Sequence, residues 1–248
     1  GTVALDILSE LPTVDTVIVP VGGGGLISGV SACIKQVNPR VRVVGVQAEG
    51  ASAVYQSYKA GRHMCTDGVS TIADGIAVGN PGEKTVAEIL KYVDDMVTVS
   101  DNDISSAILL LMERTKQIVE PSGASSLAAV LSGKVDAHER KTVCLLSGGN
   151  IDVSFIHRVI DQGLVSRHRR LKFTVRLPDA PGKLIAMLQV VSDSGANILM
   201  IDHDRLSNVL GPSEILVHVA CEVGGEEHGR SVIASLSNCG YSVTTEQQ

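Results

Sequence analysis

Thr16-Val17-Ile18-Val19-Pro20-Val21 is an apolar run of strand length, and Val41-Arg42-Val43-Val44-Gly45-Val46-Gln47 is a second. Such runs predict strands covered on both faces, as in a parallel sheet. Between them Leu26, Ile27, Val30 and Ile34 recur at helical spacing. The alternation continues with a short helix expected from Ser52 to Lys59 and a polar, glycine-rich loop over residues 61–82. A helix from Glu83 to Lys91 and a third strand at Met96-Val97-Thr98-Val99 follow. Ser100 and Asp103 form a capping-box pattern. Ile104, Ala107, Ile108, Leu111 and Met112 then fall on one helical face. Gly123 to Leu131 predicts a helix of small residues, Thr142 to Leu146 a fourth strand, and Asp152 to Asp161 a closing helix. The expected fold is α/β, a twisted parallel sheet with flanking helices and right-handed crossovers.

The pattern changes at Gly163. Leu171, Phe173, Val175 and Leu177 alternate with polar residues, which predicts a strand with one buried face. Pro181 to Ser194 is periodic as a helix, with Leu184, Ile185, Leu188 and Val191 on one side. Strands are expected at Asn197 to Ile201, Glu214 to Val223 and Tyr241 to Thr245, and a second helix includes Ser231 to Leu236. The order β-α-β-β-α-β is the ferredoxin-like α+β arrangement. The boundaries expected are 1–162 for the first domain, 163–170 for a linker and 171–248 for the second.

Composition narrows the chemistry. Of 248 residues, 44% are hydrophobic and 19% charged, with no Trp, two Phe and four Tyr. The core must therefore be aliphatic, which suits a parallel sheet. Net charge is −6, and the only basic run is Arg167-His168-Arg169-Arg170, read as a solvated linker, so a nucleic-acid partner is not expected. Cys33, Cys65, Cys144, Cys221 and Cys239 are scattered and form neither a disulfide framework nor a zinc signature. No apolar run reaches membrane-spanning length and no signal-peptide pattern is present, so the expected compartment is a reducing cytoplasm without membrane partners. The chain opens at Gly1-Thr2-Val3-Ala4-Leu5 inside a helical pattern, as a piece of a longer polypeptide would.

Four consecutive glycines, Gly22 to Gly25, join the first strand to the first long helix. Glycines here let backbone N–H groups crowd around an anion, and the helix N-terminus adds partial positive charge. A P-loop is not formed, because Val30 and Ser31 stand where Lys and Ser/Thr are needed after Gly24 and Gly29. The dinucleotide pattern also fails, although Glu49 ends the second strand where a ribose-binding acid would sit. A dinucleotide site and a purely structural turn stay open beside the leading expectation, a cofactor phosphate without adenosine.

Val21-Gly22-Gly23-Gly24-Gly25-Leu26 resembles the phosphate loop of the threonine/serine dehydratase family, pyridoxal-phosphate enzymes of fold type II. Thr71-Ile72-Ala73-Asp74-Gly75-Ile76-Ala77-Val78 resembles the family segment beside the cofactor ring. Glu120-Pro121-Ser122-Gly123-Ala124 resembles its helix-opening motif, and Leu146-Ser147-Gly148-Gly149-Asn150 the segment whose Ser faces the pyridine nitrogen. The motifs occur in the family's order over residues 1–165. The rest resembles an ACT domain, a regulatory amino-acid-binding module, so the whole chain is similar to threonine ammonia-lyases with that appendage. The first domain would then be an incomplete version of the tryptophan-synthase-β-like fold.

The resemblance implies pyridoxal 5′-phosphate as cofactor, held by Gly22, Gly23, Gly24, Gly25 and Leu26, with Gly75 beside the ring and Ser147 at its nitrogen. A helix N-cap near Asn150 is the alternative for Ser147. The family's Schiff-base lysine has no match: Lys35, Lys59 and Lys116 lie on predicted helices in the wrong context. No catalytic residue is therefore assigned, and this polypeptide alone is expected to be inactive and poorly behaved. Related serine racemases bind a divalent cation through an acid matching Glu49, but Tyr55 stands near the second carboxylate's place, so no metal is expected. Pro178-Asp179-Ala180-Pro181-Gly182-Lys183-Leu184 resembles the ACT ligand loop, which makes Asp179, Gly182 and Asn197 candidates for an amino-acid effector such as isoleucine or valine. A plain turn and helix start, with Pro181 early in the helix, is the alternative. His203-Asp204-Arg205 is read as solvated rather than as a subunit contact. The activity implied is conversion of L-threonine, and secondarily L-serine, to a 2-oxo acid and ammonia by a homo-oligomer, in isoleucine biosynthesis or a degradative role. Serine racemase or serine dehydratase, a non-catalytic amino-acid sensor, and a nucleotide-binding α/β protein are the alternatives.

Overall fold

The computed structural model describes residues 1–149, 153–166, 168–205, 211 and 213–245. The chain divides into two compact units, Gly1–Gly163 and Leu164–Gln248. Among the described residues no helix is long and apolar enough to cross a membrane.

The first unit holds β1 (Thr16–Pro20), β2 (Arg42–Ala48), β3 (Asp95–Val99) and β4 (Thr142–Cys144) in one parallel sheet of order β3-β2-β1-β4. Every residue of β1 is buried, as its unbroken apolar run demands. Alternation along the strands feeds two cores. Val17, Val19 and Val43 join Ile27, Val30 and Ile34 of α2 (Gly25–Val37) on one face. Ala4 of α1 (Thr2–Glu10) and Ile89 of α4 (Glu83–Tyr92) complete that cluster. Ile18, Val44 and Val46 meet Ile104 and Ile108 of α5 (Asp101–Arg114) and Ala124 and Ala128 of α6 (Pro121–Leu131) on the other. The capping box of α5 is present: Asp103 N donates to Ser100 Oγ, and Ser100 N to the Asp103 carboxylate. A short helix, α3 (Ala53–Ala60), follows β2, and the segment expected as loop over 61–82 contains a 3₁₀ turn at Asp74–Ile76.

Strand order sets the site. From β1 the chain crosses outward to β2 and β3, and β4 then pairs on the other side of β1, with Ile18 opposite Cys144. A parallel sheet opens a crevice at the C-terminal ends of two such strands. The segments after β1 and β4 are the glycine run and Ser147-Gly148.

The expected linker over 163–170 is shorter. Helix α7 spans Val153–Ser166, and β5 begins at Arg170. The apolar periodicity of Ile156, Val159, Ile160 and Leu164 carries the helix past Asp161. Residues 150–152, at the expected start of this helix, lie outside the described residues.

In the second unit β5 (Arg170–Pro178), α8 (Lys183–Asp193), β6 (Asn197–Asp204), β7 (Glu214–Glu222), α9 (Glu226–Asn238) and β8 (Val243–Thr245) follow the expected β-α-β-β-α-β order. They form an antiparallel sheet ordered β6-β7-β5-β8. Phe173, Val175 and Leu177 pack with Val217, Val219, Met187, Val191, Val232 and Leu236 in a core of their own. Pro181 precedes α8 rather than entering it, because Gly182 is the N-cap at φ 84°, a left-handed conformation suited to glycine.

Candidate active site

A cavity of about 330 Å³ lies where the glycine run, the Asp74–Ile76 turn, the start of α6 and the segment after β4 converge. Gly22 to Gly25, Leu26, Gly75 and Ser147 all line it, so three segments far apart in sequence meet at one crevice. Two of the four glycines are sterically required. A Cβ at Gly22 would lie 3.1 Å from Ile76 Cα and 3.2 Å from Gly75 O. Gly24 has φ 91°, and a Cβ there would lie 2.8 Å from Ile89 Cδ1. At Gly25 nothing lies within 4 Å.

The backbone N–H groups of Gly22, Gly23 and Gly24 have no hydrogen-bond acceptor among the described residues. Gly25, Leu26 and Ile27 form the first turn of α2, whose N–H groups have no intrahelical partner, and no side chain caps that helix. The first internal bond is Ser28 N to Gly24 O at 3.0 Å. Unpaired donors at a helix N-terminus, facing a crevice and unobstructed by Cβ atoms, fit an anion of phosphate size.

Ser147 is half-buried opposite, and α6 holds it there. A Cβ at Gly123 would come within 2.2 Å of Ser147 O, so only glycine allows the helix this close. Ser126 Oγ donates to Leu145 O at 2.9 Å, fixing the same segment. Among the described residues the Ser147 hydroxyl has no partner. Its alternative reading as a helix cap near Asn150 falls outside those residues. Gly75 is placed by Asp101, whose carboxylate accepts from Thr71 Oγ1 at 2.6 Å and Ile72 N at 3.1 Å.

Glu120 and Ser122 line the cavity too, and sequence reading placed them only in a helix-opening motif. The Glu120 carboxylate lies between Gly75 and Gly148: a Cβ at either would meet Glu120 Oε1, at 3.0 and 2.2 Å. An acid just before Pro121 at the first helical position was the available signal.

None of the lining residues is a lysine. Lys35 pairs with Asp94 at 2.7 Å, and Lys59 lies over the Tyr55 and Tyr58 rings. Lys116 is not helical as expected: α5 ends at Arg114, and Lys116 has φ 59° with Nζ donating to Glu113 O. Glu49 opens a separate cavity with Asp67 and Cys65, and among the described residues no group of three metal-ligating side chains forms.

The candidate effector residues are not gathered. Asp179 accepts from Arg205 at 3.1 Å, beyond the C-terminal end of β6, and Gly182 caps α8 nearby in sequence. Asn197 begins β6 opposite Glu222, whereas Pro178 pairs with Glu214 at the other end of β7. At about 3.3 Å per residue this puts Asn197 roughly 20 Å from Asp204. Both β5 and β6 run antiparallel to β7 and so parallel to each other, which sets the start of β6 level with the start of β5 and away from Asp179.

A row of unpaired N–H groups at the switch point of a parallel sheet, with a neutral hydroxyl across the crevice, is the kind of site in which an α/β scaffold can hold a phosphorylated group. The family model for pyridoxal-phosphate dependent enzymes matches residues 1–148, and the chain belongs to that family. It is 43% identical over 245 residues to an L-threonine ammonia-lyase of Geobacter sulfurreducens, covering 98% of this chain and 60% of that protein. An L-threonine ammonia-lyase of Thermotoga maritima is 42% identical over 243 residues, with the same two shares. Among solved structures, the processed form of threonine deaminase isoform 2 from Solanum lycopersicum matches with TM-score 0.61 and 34% identity, over 65% of this chain and 48% of that one. Maize serine racemase matches with TM-score 0.58 and 37% identity, over 67% and 52%. The chain thus spans 60% of the length of the curated relatives named here.

Proposed function

We propose that this chain carries the phosphate-holding and ring-facing side of the active site of a pyridoxal-phosphate-dependent L-threonine ammonia-lyase. The observation behind the reading is the row of unpaired N–H groups from Gly22 to Ile27 facing Ser147 across one crevice. The names of the two bacterial relatives supply the substrate, L-threonine, and L-serine, one methyl smaller, is proposed as a second.

The bound cofactor supplies an electron-withdrawing ring that makes loss of a proton at the substrate Cα feasible. The N–H groups of Gly22 to Leu26 would hold the phosphate dianion. Ser147 would offer the ring nitrogen a neutral hydroxyl rather than a carboxylate, an arrangement suited to loss of a β-hydroxyl from the substrate. Gly75 and Gly148 keep the walls free of side chains while Glu120 fills the space beside them. Among the described residues no lysine lines the crevice, so this reading assigns the amine that would engage the cofactor aldehyde to none of them.

The second unit is proposed to be an ACT domain that senses an amino acid within a homo-oligomer. Its β-α-β-β-α-β order supports this. A reducing cytoplasm is consistent with five free cysteines. The test uses the intact protein, reconstituted with pyridoxal phosphate. Visible imine absorbance and release of a 2-oxo acid and ammonia from L-threonine are expected. Formation of D-serine from L-serine without 2-oxo acid from threonine would select a racemase instead. Calorimetric titration with branched-chain amino acids tests the sensor, and flat isotherms with all of them would remove it.

A further inference from the structure

The glycine run needs something to keep it pointed. A peptide between two glycines flips at little cost, because glycine visits both signs of φ. A flip would turn an N–H out of the crevice and a carbonyl into it, replacing a donor with a repelling dipole. Three successive peptide units are protected against this. These peptide bonds are trans, as are all among the described residues, so each C=O points opposite to the N–H of the same unit. Gly22 O accepts from Nε2 of the fully buried Gln47 at 3.4 Å, and Gln47 Oε1 is itself fixed by Tyr55 N at 2.8 Å. Gly23 O accepts from Thr85 Oγ1 at 2.7 Å. Gly24 O accepts from Ser28 N at 3.0 Å and Ser28 Oγ at 2.7 Å.

We infer that Thr85 is a positioning residue for the phosphate cup, whose hydroxyl holds the Gly23 carbonyl outward and thereby keeps the Gly24 N–H turned to the crevice. Gly22 O and Gly23 O each take one donor from another element, and the Thr85 contact is much the shorter, 2.7 Å against 3.4 Å. Thr85 stands in the first turn of α4 and does not line the cavity, so it touches no guest. Its one proton lies between Gly23 O and Gly82 O, at 2.7 and 2.8 Å. Its carbonyl in turn accepts from Ser28 Oγ at 3.2 Å, which links the middle brace to the third. Helix α4 is close enough for this because Gly24 lacks a Cβ: one there would lie 3.2 Å from Thr85 Cβ.

This inference rests on the cofactor reading above, and the test separates the two. In the intact protein, affinities for pyridoxal phosphate and for pyridoxal, which lacks the phosphate, are measured by imine absorbance. Thr85→Val should weaken pyridoxal phosphate binding about three- to tenfold, the scale of one neutral hydrogen bond, and leave pyridoxal unchanged. Thr85→Ser should restore wild-type affinity, and Thr85→Ala serves if valine is not tolerated. Loss of the Gly82 contact alone would lower the melting temperature and weaken both aldehydes equally. That outcome, unchanged affinity in Thr85→Val, or a serine variant as weak as the valine one would overturn the inference. Wild-type protein with no imine band would overturn the cofactor reading itself.

Discussion

Ser147 depends on a residue that does no chemistry. Gly123 lets α6 press against the Ser147 carbonyl, and Ser126 ties down Leu145, so the hydroxyl's position is set by a helix of small residues. Ser147→Asp keeps the backbone but puts a charge where the proposed reading sets the ring nitrogen. We expect elimination from L-threonine to fall at least tenfold, on the order of 1.4 kcal/mol in barrier, by steady-state assay. Activity equal to wild type would refute the neutral-hydroxyl role. The glycine quartet stood out at the end of an apolar run and Ser147 through the family resemblance, and the two line one crevice because parallel strands end on the same side of the sheet. Thr85 was not, since 62 residues separate it from Gly23 and its hydroxyl looks like any helix-start threonine. Glu120 was seen only as part of a motif, because its contact with Gly148 arises from packing between elements.

At the scale of elements, the strands were readable from unbroken apolar runs, and α5 from its capping box and periodicity. Direction was harder. Asn197 was grouped with Asp179 by nearness in sequence, yet β6 begins at one end of its sheet and Asp179 sits at the other. The start of α5 also has a second task. Asp101, in its first turn, accepts from Thr71 and Ile72 and so anchors the turn that carries Gly75. Asp101→Ala leaves those donors unpaired, at a cost of about 1–3 kcal/mol. A melting temperature several degrees lower, with weaker cofactor binding in equilibrium titration, is the expected result. Unchanged values for both would show that the Gly75 turn is held by other contacts.

The whole molecule has two units, each with a hydrophobic core of its own. Phe173 is the largest fully buried side chain of the second unit. Phe173→Ala should cost about 3–5 kcal/mol there. Scanning calorimetry should show one transition lowered while cofactor absorbance is retained. Alkaline pH acts on both units. Burial pushes the thiols of Cys144 and Cys221 up to about 11, from an ordinary value of 9.0. The folded state therefore holds its protons longer than the unfolded chain. Stability should be intact below pH 9 and decline as pH rises toward 11. Urea midpoints at pH 8 and pH 10.5 check this, and a decline that survives replacement of both cysteines by Ala would assign it elsewhere. The outward-held carbonyls of Gly22 to Gly24 bear on how such experiments are prepared. A cup shaped before its guest arrives greets any tetrahedral anion of the right size, so sulfate in a storage buffer would compete for it and depress apparent loading.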